Sequence, residues 1–272
     1  MRRAAALLVL PLLSLAAACG DDSSTTSTGA PPAGGSVAIR ISVGGGFSPQ
    51  GLDFASVPTV VLGDGTAFMG GAVTLQYPGP ALSPVTTGRL DARAVEDLLA
   101  AARDAHLDEE RDYGQPGVTD MASTTIEVEI DGTVHETSVY ALGYGGDEGF
   151  DSGLTDVQQA ARRDASGFVQ QVSDAVSAAA TDAYAATAYQ VQAFEAGDAS
   201  TAEGEPQPND VDWPLAQPLV AGRCTDVGGA DAAALTTALG HATAITRWHS
   251  GGTAFTLAVK TALPGTEPCP TA

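Results

Sequence analysis

The sequence predicts an α+β fold with a mainly antiparallel sheet, hairpins and three helices packed on the sheet. Three observations predict it: short runs of alternating apolar residues, Asp-Gly turns between neighbouring runs, and amphipathic stretches that occur singly between groups of strands. Strands joined by tight turns pair antiparallel, whereas a parallel sheet needs repeated crossover helices. The pattern therefore favours hairpins over a doubly wound arrangement.

The first elements are strands joined by a tight turn. Residues 37–43 alternate apolar and polar side chains, as a half-buried strand does. Residues 57–62 and 66–69 flank Gly63-Asp64-Gly65, which predicts a hairpin because Asp-Gly tolerates the positive φ of a tight turn. Residues 72–77 are expected to extend this sheet until Pro78 breaks it.

A helix and a second hairpin complete the first half. Asp91 is the predicted N-cap of a helix whose apolar stripe runs from Ala94 to Leu107. Strands are expected over 124–130 and 134–139, joined by a tight turn at Asp131-Gly132.

The second half follows a similar order. It contains a long helix over 155–182, a strand over 184–194, a proline-rich connection over 203–218, a helix over 231–239 and a hairpin of residues 245–248 and 253–259. Both halves are thus predicted to contain strand, helix and hairpin in the same order. Their residues do not align as a repeat, so an internal duplication that gives two similar halves stays an open alternative.

The N-terminus carries an export signal. Met1-Arg2-Arg3 is positively charged, residues 4–15 are apolar, and small residues 16–18 precede Cys19. The segment resembles the signal peptide and lipobox of bacterial lipoproteins. That resemblance implies cleavage before Cys19 and fatty acyl chains, palmitate among them, on the new N-terminus. Cleaved secretion without lipid and a retained anchor are the alternatives, although the apolar run is shorter than the roughly 20 residues of a spanning helix.

The segments give four predicted regions. Residues 1–18 are the signal peptide, and residues 19–36 are the lipidated cysteine and a disordered Ser/Thr/Gly/Pro tether. Residues 37–150 form an N-terminal α+β unit, and residues 151–272 form a C-terminal α+β unit. The expected location is the extracytoplasmic face of a bacterial cell membrane, with the lipid as the contact to the membrane.

Charge and cysteine content narrow the possible partners. The formal net charge is −21, from 33 acidic and 12 basic residues, so the chain repels the phosphates of nucleic acid, and no nucleic-acid partner is expected. With Cys19 lipidated, Cys224 and Cys269 remain as an even pair in an oxidising compartment, which predicts a disulfide bond. Two free buried thiols are the alternative.

Few residues point to chemistry. Trp248 and His249 beside a glycine turn are a possible ligand contact, and an edge-strand aromatic beside an exposed histidine is the competing interpretation. Asp147, Glu148 and Asp151 lie among glycines and are weak candidates for a cation site, but their spacing does not match an EF-hand and a solvated acidic turn is the favoured interpretation. No catalytic motif is present in the sequence, and no cofactor is expected.

The sequence therefore favours a lipid-anchored cell-envelope protein that acts as a non-catalytic binding or structural module. A secreted hydrolase whose site is assembled from distant residues is one alternative. A carrier of small molecules or cations is another.

Overall fold

The first of two sheets has seven strands in the computed structural model, which describes residues 32–47, 52–144, 153–197 and 206–270. Its strands are β1 (Val37–Gly44), β2 (Thr59–Leu62), β3 (Thr66–Gly70), β4 (Val85–Arg89), β5 (Ser123–Ile130), β6 (Thr133–Tyr140) and β7 (Asp182–Ala183). Their spatial order is β6-β5-β1-β2-β3-β4-β7, and every neighbouring pair is antiparallel.

The second sheet has five strands. They are β8 (Ala188–Glu195), β9 (Asp210–Asp212), β10 (Cys224–Gly228), β11 (Arg247–Ser250) and β12 (Thr253–Thr261). The spatial order is β10-β8-β12-β11-β9, with β9 and β11 parallel and the other pairs antiparallel.

Three long helices accompany the sheets, so the predicted α+β class with a mainly antiparallel sheet is confirmed. They are α2 (Ala92–Asp104), α3 (Asp156–Ala179) and α4 (Gly229–Leu239), and the single turn α1 (Leu52–Ala55) was not predicted. Within the described ranges, no helix combines the length and the apolar composition needed to cross a bilayer.

The starts of α2 and α3 follow from local capping, and both predictions are confirmed. The Asp91 side chain accepts a hydrogen bond from the backbone N–H of Ala94 at 2.8 Å. Thr155 and Gln158 form a reciprocal capping box at the start of α3. Each cap satisfies donors that the first helical turn leaves without intrahelical partners.

Both α2 and α3 pack on the same face of the first sheet. The buried positions of α3 recur every three or four residues and meet the buried stripe of α2 and the strands in one core. The end of α3 lies directly against β4 at Gly88, where a Cβ would come within 1.9 Å of the Ala179 carbonyl oxygen. Only glycine permits this approach of helix to strand.

The second core lies between α4 and the second sheet, and it is centred on Trp248 and Tyr189. A third apolar cluster lies on the face of the first sheet that the long helices leave open. It contains Val60, Leu62, Phe68 and Val85 together with Leu263, which follows β12. The chain after the second sheet thus packs back against the first sheet.

Further contacts join the two sheets. Pro80 forms a bridge with Thr243, Leu82 forms one with Val259, and α1 packs against β12. The chain passes from the first sheet to the second between β7 and β8, whereas the sequence placed the boundary at 150/151. The sheets differ in the number and order of their strands, and the two similar halves stay a prediction.

The hairpins at 57–69 and around Asp131-Gly132 are confirmed, but the structure corrects other elements. Residues 72–77 form no strand, and the large side chains of Val73, Leu75 and Tyr77 are exposed rather than packed in a sheet. Val134, expected to help define its strand, is also exposed, whereas Val139 is buried. Strands β4, β7, β9 and β10 were not predicted, because each has five residues or fewer and pairs with a strand to which no tight turn joins it.

Candidate functional site

A polar groove between the two sheets is the candidate site. It consists of two adjoining cavities of about 450 and 740 Å³, which share Phe54, Lys260 and Glu267 at their junction. The first cavity is lined mainly by β1, β5, the end of β12 and residues 265–267, with Phe54 from α1 and Glu136 from β6. The second is lined mainly by β8 and by the segments around residues 220–224 and 267–270. We refer to the two cavities together as the intersheet groove.

Strand alternation brings polar side chains to this groove. In β1 and β5, Ile39, Ile41, Ile126 and Val128 belong to the core under the long helices. The residues between them point to the other face of the sheet, because successive side chains of a strand alternate. Those residues include Arg40, Ser42, Thr125 and Glu127, and all four line the groove.

Arg40 and Glu127 form an ion pair at one end of the groove. The Arg40 Nε lies 3.8 Å from Glu127 Oε2, and the Arg40 Nη2 donates to the Pro264 carbonyl oxygen at 2.7 Å. Burial raises the pKa of the Glu127 carboxyl, while Arg40 acts in the opposite direction. Glu136 stands directly across from Glu127 in the pairing of β5 with β6 and raises that pKa further.

Lys260 lies at the junction of the two cavities and is the only lysine in the sequence. Its Nζ lies 4.5 Å from the centre of the Phe54 ring, a favourable cation–π distance. Burial and, secondarily, the nearby Arg40 guanidinium lower the pKa of the Lys260 ammonium, whereas Asp226 raises it. The groove thus holds charges of both signs in a partly desolvated setting.

The C-terminal segment 262–270, here called the C-terminal strap, forms a wall between the cavities. Gln190 Nε2 donates to the Glu267 carbonyl oxygen at 2.7 Å and to Asp226 Oδ1 at 2.8 Å. Asp226 Oδ2 accepts from the backbone N–H of Cys269 at 2.9 Å. These bonds hold the strap against β8 and β10.

The predicted cysteine pair fastens the end of this strap. Cys224 and Cys269 lie at disulfide distance, with their Cα atoms 5.4 Å apart. Both residues line the second cavity. The pairing expected from the cysteine count is therefore found in the geometry.

The predicted contact pair Trp248 and His249 does not share one surface. Trp248 is 1% exposed and packs edge-to-face on Trp213 within the second core, at 6.0 Å between ring centroids. His249 is partly exposed, and its Nε2 lies 2.6 Å from Asp210 Oδ1 on the parallel neighbour β9. The arrangement agrees with the competing interpretation in its packed aromatic and partly exposed histidine, but β11 has a paired neighbour on each side and is not an edge strand.

The remaining candidate residues lie outside the described residues. These are Cys19 and the three acidic residues Asp147, Glu148 and Asp151. In the ranges that the structure does describe, no three His, Cys, Asp or Glu side chains come together as metal ligands.

Sequence reasoning did not select the groove residues Arg40, Glu127 and Lys260. Arg40 and Glu127 could have been found because each is a charged residue in a strand whose apolar residues alternate. Such a residue marks the face of the sheet that is not packed under helices. Lys260 carried a weaker signal, since it is the only lysine and interrupts the apolar end of a strand.

Comparison of the chain with models of known protein families, with curated proteins and with solved structures finds no match.

Proposed function

We propose that this chain is a lipid-anchored protein of a bacterial cell envelope that binds a small molecule in the intersheet groove without transforming it. The observation that carries the binding proposal is the groove itself. It is large enough for a small ligand and presents charged side chains from elements far apart in sequence.

The anchor is supported by the N-terminal sequence. Its basic start, apolar run and small residues before Cys19 resemble the lipobox of lipoproteins. Two or three acyl chains hold a protein firmly at a bilayer, whereas one chain binds only marginally. The Ser/Thr/Gly/Pro-rich tract after Cys19 would serve as a spacer between membrane and groove.

Replacing Cys19 with alanine is expected to move the protein from the membrane fraction to the soluble fraction, because the acylated thiol is lost. Membrane fractionation of the producing cells measures this, and intact mass spectrometry reports the acyl mass. Ser23→Ala in the tether is the matched control and should stay with the membrane. Unchanged partition of Cys19→Ala, or an N-terminus without acyl mass, would refute the lipid anchor.

Binding is favoured over catalysis by the chemistry of the lining. The groove is lined by serines but by no histidine, and its two cysteines are paired with each other. The His249–Asp210 pair is exposed on the second sheet and is not among the lining residues. Among the described lining residues, a serine nucleophile would therefore have no histidine to activate it, and the paired cysteines offer no free thiol.

A thermal-shift panel tests the binding function. Full-length protein in detergent is screened with amino acids, short peptides, monosaccharides, carboxylic acids and polyamines. A true ligand at a hundred times its Kd stabilises by about 2.7 kcal/mol, a rise in Tm of several degrees. Lys260→Met should abolish the rise, and the exposed Arg93→Met should preserve it. A panel without any Lys260-dependent rise would overturn the proposal.

A hydrolase is the second candidate, and one observation favours it. Burial raises the pKa of Glu127, which lies directly opposite Glu136 on the neighbouring strand, and glycoside hydrolysis uses a pair of carboxyl groups. The ligand from the panel decides between the two. Recovery of the ligand unchanged after prolonged incubation supports binding, and cleavage that Glu127→Gln abolishes establishes the hydrolase instead.

A further inference from the structure

The intersheet groove presents charged side chains of both signs. Glu127 and Glu136 occupy opposed positions on β5 and β6 and, of the two cavities, line only the first, together with Arg40. Lys260 lies at the junction with the second cavity, where the Phe54 ring flanks its ammonium at 4.5 Å. A ligand in the first cavity can therefore reach both the carboxylates of β5 and β6 and the ammonium of Lys260, with Glu267 beside it at the junction.

The protein itself satisfies these charges incompletely. Among the residues that the structure describes, Lys260 has no carboxylate within 4.0 Å and no hydrogen bond, and its close partner is an aromatic ring. Glu127 has a single cationic partner, Arg40 at 3.8 Å, whose guanidinium also bonds the strap. Glu136 has no cation within ion-pair distance in the same part of the chain. The Lys260 ammonium and the two carboxylates can therefore each form a further ion pair with a ligand.

An ion of one sign would be attracted by some of the charged lining residues and repelled by the others. A simple anion would reach Lys260 but would face Glu127, Glu136 and Glu267 in the same cavity, in a protein of net charge −21. A simple cation would pair with the carboxylates but would be opposed by Lys260 and Arg40. Charge-assisted hydrogen bonds at both ends require a ligand with both signs.

We propose that the groove binds a zwitterion, a free amino acid or short peptide, with its carboxylate on Lys260 and its ammonium between Glu127 and Glu136. This inference rests on the proposed binding function. Phe54 contributes an apolar surface beside Lys260, where the ligand carboxylate would bind, and Ser42 and Thr125 add hydroxyl groups to the lining of the same cavity. No covalent step is involved.

Titration of the full-length protein with alanine, dialanine and trialanine tests the ligand class, and the series reports the spacing between the two charged ends. We expect at least one member to bind. N-acetylation of that member removes its ammonium, and amidation removes its carboxylate. Each change should weaken binding about tenfold or more, since hydrogen bonds to charged groups are the strong ones.

Variants assign each end of the ligand. Lys260→Met should weaken binding of the free peptide about tenfold or more and leave binding of the amidated peptide unchanged. Lys260→Arg should restore binding of the free peptide. The double variant Glu127→Gln with Glu136→Gln should weaken binding of the free peptide and leave binding of the N-acetyl peptide unchanged. Glu96→Gln with Glu110→Gln, on exposed residues outside the groove, is the matched control. Circular dichroism of each apo variant verifies that it is folded.

The outcomes separate this inference from the function on which it rests. Equal binding of the N-acetyl form and the free peptide would overturn the zwitterion. Lys260-dependent binding of another panel molecule, with no binding of the alanine series, would also overturn it and leave the binding function standing. No Lys260-dependent ligand in either experiment would overturn both.

Discussion

Replacing both Cys224 and Cys269 with serine is expected to lower the free energy of unfolding by about 4 kcal/mol. The two cysteines are 45 residues apart, and their bond restricts the unfolded chain between β10 and the end of the strap. The loop-closure model for a loop of this length gives about that value. Denaturant unfolding measures it, with the m value reporting any expansion of the unfolded state once the cross-link is gone.

Two comparisons isolate the effect of the bond. Thr225→Ser changes the neighbour of Cys224 on the same strand without touching the bridge, and it should leave stability within about 0.5 kcal/mol of the parent. Reduction of the parent protein should reproduce the loss seen in the double variant. A loss below about 1 kcal/mol would instead mean that Gln190 and Asp226 hold the strap without the bond.

The predictable part of the fold depended on local signals. The starts of α2 and α3 were predicted correctly because a cap and its helix lie within four residues of each other. The Asp131-Gly132 hairpin followed for a similar reason, since both residues adopt positive φ, of 52° and 77°. In each case a few adjacent residues determine the element.

The strands that were not predicted form only through pairing with strands elsewhere in the chain. The sequence of β4, VTTGR, has one large apolar residue, and its neighbours β3 and β7 come from before and long after it in the chain. Strand β9 has three residues and pairs in parallel with β11. Such strands are determined by the sheets that they join, so their own residues carry little signal.

The groove could not be predicted as a site, although its strands could. Its charged residues Arg40, Glu127 and Lys260 belong to three strands of two sheets, and no spacing along the chain connects them. The pair that sequence reasoning chose, Trp248 and His249, failed to share a surface for a general reason. Adjacent residues of a strand point to opposite faces, so a buried tryptophan turns the next side chain away from the core.

Buried Arg162 joins α3 to the first sheet through backbone carbonyl groups. Its guanidinium donates to the Tyr113 carbonyl oxygen at 3.3 Å, to that of Tyr140 at 2.9 Å and to that of Ala141 at 2.5 Å. The residue is 6% exposed, and burial lowers the pKa of its guanidinium. Because none of these partners is a carboxylate, the hydrogen bonds alone compensate the lost hydration of the charge.

Replacing Arg162 with methionine is therefore expected to lower the free energy of unfolding by about 3 kcal/mol. Methionine keeps the apolar bulk of the side chain but removes this donor from three carbonyl oxygens, of which that of Ala141 still accepts from the backbone N–H of Tyr144. Each buried acceptor left unsatisfied costs about 1–3 kcal/mol. Chemical denaturation measures the loss. The neighbouring Arg163 is exposed on the same helix, so Arg163→Met is the matched control and should change stability by about 0.5 kcal/mol or less. Equal stability of the two variants would show that water or other donors replace Arg162, and the helix would then be held to the sheet by its apolar face alone.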